Sequence, residues 1–560
     1  MPSEITFGKT TSSTSPYIEN ELEVKPIATI PTDIAFQADL NSKGFADARG
    51  GTLSQISEIA KLPVGNKDFT GNVYIDGILW GGNYWKSGSS STTTIDYSFW
   101  NSQTASFDDA YYDDIAQNPY DWFSGEKASM VNALNSWSAV ANIQFVNAGD
   151  NNESATLGFY NVDNADADDN LGMFCPPGTD GQGIGYFNWE GEGWNTNGIV
   201  QGNFNFTTLI HELGHGLGLD HPHSNQGGSS IYPGVTAAFG DTGDYGLNQG
   251  VYTTMSYNDG LVYSGGAPGT RDYGYQGTPM AFDIAAIQYL YGANNSYKTG
   301  NDTYFLPTAN QSGTYYSCIW DAGGIDTISG VGALSGVTID LNEASLNTAV
   351  DGAGAGGYIS SAEGIFGGFT IANGAIIENA DGSAFADLIT GNEFNNILNG
   401  GAGNDYLIGE SGNDTLNGGA SNDYLIGGKG NDSLVGGNDK DILTGESGSD
   451  QFTYTDLSQS LLYNYDVITD YSIGDQIDAP SYIVAATLTT PVGNAASLSE
   501  AAISTLLTSG VFTANSAEAF TVSDLAGTFI AFNDAVAGFN SANDSLIFLK
   551  NYPLGSVSIV

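Results

Sequence analysis

All four histidines of this 560-residue chain fall between positions 211 and 223, in the run HELGHGLGLDHPH. Imidazole is the commonest protein ligand for a metal ion, so the chain has gathered its best nitrogen donors in one place. On a helix, residues i and i+4 share a face, and His211 and His215 can therefore point at one ion. Glu212 sits one residue on, beside the metal rather than on it, where a general base for a bound water belongs. Gly218 permits a left-handed turn that ends the helix and returns the chain, so that His221 can supply a third nitrogen. Three neutral imidazoles with an open position describe a catalytic zinc site, whereas structural zinc sites are closed by four ligands. Ordinary packed histidines on an apolar helix are the competing reading, and Gly218 and His221 in register make it the weaker one. His223, one residue past Pro222, falls outside the register and reads as a solvated residue or one packed behind the ligands, not as a ligand itself.

The element that must carry these residues is FTTLIHELGHGLGL, which is apolar at helical intervals (Leu209, Ile210, Leu213, Leu217), with Thr207 or Thr208 available as N-cap. A second helix upstream places Met130, Leu134 and Trp137 on one face, a stripe that reads as core. TTTIDYSFW alternates as a strand, and DIAAIQYLYG reads as a helix closed by Gly292.

A second chemical signal has a period of nine. From Gly382 the chain divides into GSAFADLIT, GNEFNNILN, GGAGNDYLI, GESGNDTLN, GGASNDYLI, GGKGNDSLV, GGNDKDILT and GESGSDQFT. Every repeat but the second carries aspartate at its sixth place, including Asp405, Asp414, Asp423, Asp432 and Asp441; Asn396 stands in the second. The eighth place is always apolar, from Ile389 to Phe452. This nonapeptide builds a parallel β-roll and binds calcium. Rows of aspartate would repel one another without a hard cation that takes oxygen ligands. Atypical terminal repeats suit a capped solenoid.

HELGHGLGLDHP resembles the HExxHxxGxxHP signature of the metzincin metalloproteases, in its serralysin form. TTMSY supplies the "Met-turn" of that group, with Met255 and Tyr257. The likeness extends through NALNSWSAVANIQF and FDIAAIQYLYGAN and covers most of residues 65 to 480. The resemblance implies a zinc endopeptidase with one catalytic Zn2+ and several structural Ca2+. Met255 would be the apolar floor beneath the metal. Tyr257 would be a fifth zinc ligand that swings away to hydrogen-bond the tetrahedral intermediate. Asp302, Asp326 and Glu378 would bind calcium where the protease meets the roll, with ordinary turn aspartates the alternative for the first two. Substrate is expected along an edge strand, with Gly183 to Trp189 as the candidate.

The implied architecture is multidomain: an α+β metzincin domain, an all-β parallel β-roll, and a C-terminal β-rich secretion domain. The expected divisions are an N-terminal extension or propeptide at 1–60 and the catalytic domain at 61–298. A β-rich connection at 299–381, the roll at 382–453 and the C-terminal domain at 454–560 follow.

Thirteen Lys+Arg against 63 Asp+Glu give a formal charge of -50, which argues against nucleic acid and anionic membrane surfaces as partners. The N-terminus lacks a basic start and an apolar stretch, and no run is long enough to span a membrane. The resemblance resolves this through a C-terminal signal read by a type I secretion machinery, giving a secreted, extracellular, monomeric bacterial protein that acts on protein or peptide substrates. Cys175 and Cys318 cannot form a disulfide framework and read as buried or free thiols. The alternative function is a calcium-binding RTX adhesin or surface-layer protein with an inactive protease domain; the intact Glu212 favours the enzyme.

Overall fold

A computed structural model describes residues 62–560 apart from 89, 102–119, 164–169, 192–193, 195–197, 259, 261–269, 349–353 and 554. The N-terminal extension expected at 1–60 lies outside the described residues.

The first half is a five-stranded sheet backed by helices. Strand β1 (Thr93–Trp100) buries Ile95, Tyr97 and Phe99. Helix α1 (Ser124–Val140) then crosses over to β2 (Ile143–Asn147), which pairs parallel with β1. A parallel pair requires such a crossover. Next come β3 (Leu157–Val162), β4 (Gly172–Phe174) and β5 (Ile184–Asn188). The strand order is β2-β1-β3-β5-β4, all parallel except β4, which runs antiparallel along the outer edge. Met130, Leu134 and Trp137 of α1 are buried in the core. Helix α2 (Phe204–Leu217) packs against α1 and against β4 and β5. Helix α3 (Ala281–Tyr291), with Gly292 at its C-cap, completes this half.

The second half is a roll of two parallel sheets. Residues eighteen apart pair, as in Leu407↔Leu425 and Leu416↔Leu434, so alternate nonapeptides feed opposite sheets. Ile389, Leu398, Leu407, Leu416, Leu425, Leu434, Leu443 and Phe452 are all fully buried between them. The coil continues in both directions past the repeats. Thr303–Phe305 and Thr327–Ser329 extend one sheet upstream. Downstream, Ile468 pairs with Leu443, and Ile477 with Phe452. The expected divisions at 381 and 453 therefore fall within continuous sheets. At the C-terminal end a smaller apolar cluster, including Ile503, Phe512, Phe520 and Phe529, packs beside the roll strands.

Candidate metal centre and active site

The N-cap of helix α2 lies four residues before the first threonine expected in that place. Asn203 is the N-cap, its side-chain oxygen accepting from the Phe206 N–H at 2.8 Å. Thr207 instead donates its hydroxyl to the Gln276 carbonyl. The helix closes at Gly218, whose φ of 109° a β-carbon would disfavour. Asp220, only 1% exposed, accepts from the His221 N–H at 2.8 Å and from the Ser229 hydroxyl at 2.9 Å. It fixes the return loop that carries His221, a role that spacing alone did not reveal.

The Nε2 atoms of His211, His215 and His221 stand 3.0–3.2 Å apart. Nδ1 of His211 lies 2.7 Å from the Thr254 carbonyl, and Nδ1 of His215 lies 2.9 Å from the Leu219 carbonyl. A carbonyl only accepts, so both Nδ1 atoms carry hydrogen and both Nε2 atoms present lone pairs. Two lone pairs facing each other at 3.2 Å repel unless a cation lies between them. Tetrahedral zinc with bonds of about 2.0–2.1 Å sets its ligands about 3.4 Å apart, and the three nitrogens fit that ion. Burial pushes His211 down to about 3 and His215 to about 4, and holds His221 well below its usual value, so all three rings are neutral near pH 7.

Glu212 is buried beside the histidines, and desolvation pushes its carboxyl up to about 8. Edge strand β4 runs past it: a β-carbon on Gly172 would lie 2.9 Å from Glu212 Cγ. The strand expected at the edge, Gly183 to Trp189, contains β5 instead, which is paired on both sides, with β3 and with β4. Its fully buried, near-continuous apolar character is that of an interior parallel strand.

Met255 is fully buried with its sulfur against α2 at Gly214. Asp283, at the start of α3, accepts from Thr253 Oγ1, the Thr254 N–H and the Met280 N–H at 2.6–2.9 Å. Its carboxylate thus shapes the turn whose Thr254 carbonyl orients His211. Burial pushes Asp283 up to about 6. The sequence signal for it was its place in the first turn of a helix just after the TTMSY segment.

The Tyr257 ring centroid lies 4.6 Å from His221 and 5.7 Å from His211. Burial, then the charges of Glu212 and Asp220, raise its phenol above the usual value. Of the two readings of His223, the structure shows the one in which it packs behind the ligands. Its ring stacks on His221 at 4.9 Å, lies 4.7 Å from Tyr257, and has a buried Nδ1 without a hydrogen-bond partner. Beside it the chain is held where the Tyr232 N–H donates to the Pro222 carbonyl at 2.9 Å.

In the roll, the backbone N–H of each sixth-place residue donates to the carboxylate of the residue one coil on. Asp405 donates to Asp423, Asp414 to Asp432, Asp423 to Asp441 and Asp432 to Asp450, at 2.8–3.0 Å. The second carboxylate oxygen of Asp405, Asp414, Asp423, Asp432 and Asp441 is buried without a partner. Buried oxygens in two files, one per nonapeptide, are what rows of hard cations would satisfy. Desolvation pushes Asp405 up to about 6, Asp414 and Asp441 to about 7 and Asp423 to about 8. Asn396 holds the same register with an amide that donates to the Glu378 carbonyl and Asn392, so its position carries no such deficit.

Upstream, carboxylate oxygens of Asp302, Asp321 and Asp326 lie within 4.8 Å of one another. Glu378 adjoins them, accepting the Asp326 N–H at 2.7 Å. Asp326 also buries an oxygen without a partner. Asp321 was not among the expected ligands; the signal lay in WDAGGID, where it opens the turn that Asp326 closes. Cys175 and Cys318 are both buried.

The matrixin family model matches residues 112–244, and the RTX calcium-binding nonapeptide repeat model matches 381–416 and 417–452. The chain is 32% identical over 304 residues to a serralysin of Proteus mirabilis, covering 50% of this chain and 57% of that protein. It is 33% identical over 293 residues to the metallopeptidase AprA of Pseudomonas marginalis, covering 49% and 55%. Serralysin C of Dickeya chrysanthemi is 35% identical over 273 residues, covering 46% and 51%. The chain thus spans little more than half the length of the curated relatives it matches. It carries a matrixin domain followed by RTX calcium-binding nonapeptide repeats, and it is similar to serralysins and AprA metallopeptidases over about half its length.

Proposed function

We propose that the protein is a secreted, calcium-dependent zinc metalloendopeptidase that hydrolyses peptide bonds in extracellular proteins. The observation that carries this reading is the convergence of three neutral imidazoles beside a buried, unpaired glutamate. His211, His215 and His221 hold the zinc, which when bound acidifies a water and polarises the scissile carbonyl. Glu212 takes the proton of the attacking water and returns it to the leaving amine. Burial raises the affinity of its carboxylate for that proton. Tyr257, whose ring lies beside His211 and His221, donates its hydroxyl to the oxygen on which charge develops. The substrate backbone adds to edge strand β4, antiparallel or parallel, and is read through main-chain hydrogen bonds.

Asp405, Asp414, Asp423, Asp432 and Asp441, with Asp302, Asp326 and Glu378 and the neighbouring Asp321, hold structural calcium. Extracellular calcium modules bind at about 0.1–1 mM, so the roll folds where calcium is abundant, outside the cell. The charge of -50 supports the same sequence of events, because self-repulsion keeps the apo chain open. Export of a monomer by a type I machinery that reads the C-terminal region belongs to this reading, as does the expected division into five segments. No helix among the described residues is long and apolar enough to cross a membrane.

The test is casein cleavage by zinc- and calcium-loaded protein beside Glu212→Ala. Cleavage by the parent and none by the variant is expected. Equal cleavage by both, or none by a fully metallated parent freed of any propeptide, overturns the proposal in favour of a non-enzymatic calcium-binding protein.

A further inference from the structure

Phe239 is 59% exposed, yet its ring stacks on Tyr257 with centroids 5.1 Å apart and planes 26° from parallel. An aromatic side chain on a loose loop would be free to turn away. This one is held. The Asp241 carboxylate gathers the loop by accepting from Thr236 N–H at 2.6 Å, Thr236 hydroxyl at 2.8 Å and Gly243 N–H at 3.1 Å. The loop is then pinned to the segment that carries Tyr257. Gly240 N–H donates to Asn258 Oδ1 at 2.7 Å, and Asn258 Nδ2 donates back to the Asp241 carbonyl at 2.9 Å. Asn258 is only 5% exposed, so the pin is shielded from water.

A preset, solvent-facing aromatic ring beside a reactive centre has most of its apolar area left for a partner. Such rings anchor binding because little rotamer entropy remains to be lost. We propose that Phe239 is a specificity-determining residue. With Tyr257 it forms an apolar wall for one substrate side chain flanking the scissile bond, and it selects aromatic or long aliphatic residues there. The inference rests on the peptidase reading and refines it, since pairing along β4 would by itself be indifferent to side chains.

The test uses the zinc- and calcium-loaded full chain and a set of quenched fluorescent peptides. These differ only in the residue on either side of the cleaved bond, taken as Phe, Leu, Gly or Asp. Wild type is expected to favour Phe and Leu over Gly by about 10–200-fold in kcat/KM at one of the two positions. Phe239→Ala should lower that ratio about tenfold, Phe239→Leu should retain the preference for Leu, and Phe239→Arg should raise the relative rate for Asp. An unchanged ratio in Phe239→Ala overturns the inference. So does an equal fall for every peptide, which would make Phe239 a brace for Tyr257 and no more. If metallated wild type cleaves none of the peptides, the peptidase reading itself fails and the inference falls with it.

Discussion

The Thr254 carbonyl oxygen lies 2.7 Å from Nδ1 of His211, and the N–H of the same Thr254 donates to Asp283 at 2.7 Å. One residue, Thr254, thus links a buried carboxylate on α3 to a histidine on α2. The carbonyl fixes which nitrogen of His211 is free for the metal, and Asp283 fixes the carbonyl.

Removing Asp283 should therefore be felt at the metal. Partners that orient a ligating histidine are typically worth about 10–100-fold in affinity, and Asp283→Ala is expected to weaken zinc binding by that order in a competition with a chromogenic chelator. The protein should also melt lower, because the donors that Asp283 accepts lie in the core.

Gly172 limits the room available to Glu212. With a β-carbon 2.9 Å from Glu212 Cγ and 3.2 Å from the Tyr186 carbonyl, Gly172→Ala must displace the glutamate or the edge strand. We expect kcat to fall about 10–100-fold, since small misplacements cost on that scale, with zinc content by atomic absorption unchanged. Undiminished kcat would mean that Glu212 tolerates the shift.

The roll aspartates make apo stability depend on pH, and the direction follows from their raised values. Asp414, Asp423 and Asp441 titrate near 7, 8 and 7 in the folded coil, against 3.8 for the ordinary group. The folded state therefore binds protons more tightly than the unfolded one, and its stability falls as pH rises through that interval. In chelator, the folded fraction of the roll should be smaller at about pH 8 than at about pH 5. Calcium should reverse the loss, most strongly at the higher pH. Circular dichroism melts on the full chain check both; a flat apo profile would mean that these oxygens are hydrated.

The two sheets of the roll meet in a file of single apolar residues, and each is exposed to the cost of a cavity. Leu425→Ala removes a fully buried side chain between two coils, a change that typically costs about 2–5 kcal/mol. Its expected signature is a higher calcium concentration at half-folding, read by circular dichroism, with zinc binding by the first half unaffected.

Much of this was legible in the residues. The nine-residue period predicts a two-sheet coil because glycine turns and one apolar side chain per repeat admit little else, and Leu407 over Leu425 realises it. HExxH places His211 and His215 on one face because i and i+4 always share one. The misreadings have a common cause. Asn203 capped α2 although Thr207 and Thr208 stood nearer the motif, because the apolar segment that packs on α1 starts earlier. Gly183–Trp189 looked like an edge, but interior and edge strands differ by neighbours that local pattern does not contain.

By itself, then, the sequence determined whatever depends on short-range geometry: the ligand spacing on α2, the left-handed stop at Gly218, and the coil repeat with its aspartates. Only the tertiary structure decided what depends on distant segments meeting. Asp283 reaches Thr254, β4 lies beside Glu212, Asp321 joins Asp302 and Asp326, and His223 turns in beneath Tyr257 while Phe239 stacks on it. Those meetings are set by the packing of helices on a sheet whose strand order no local propensity encodes.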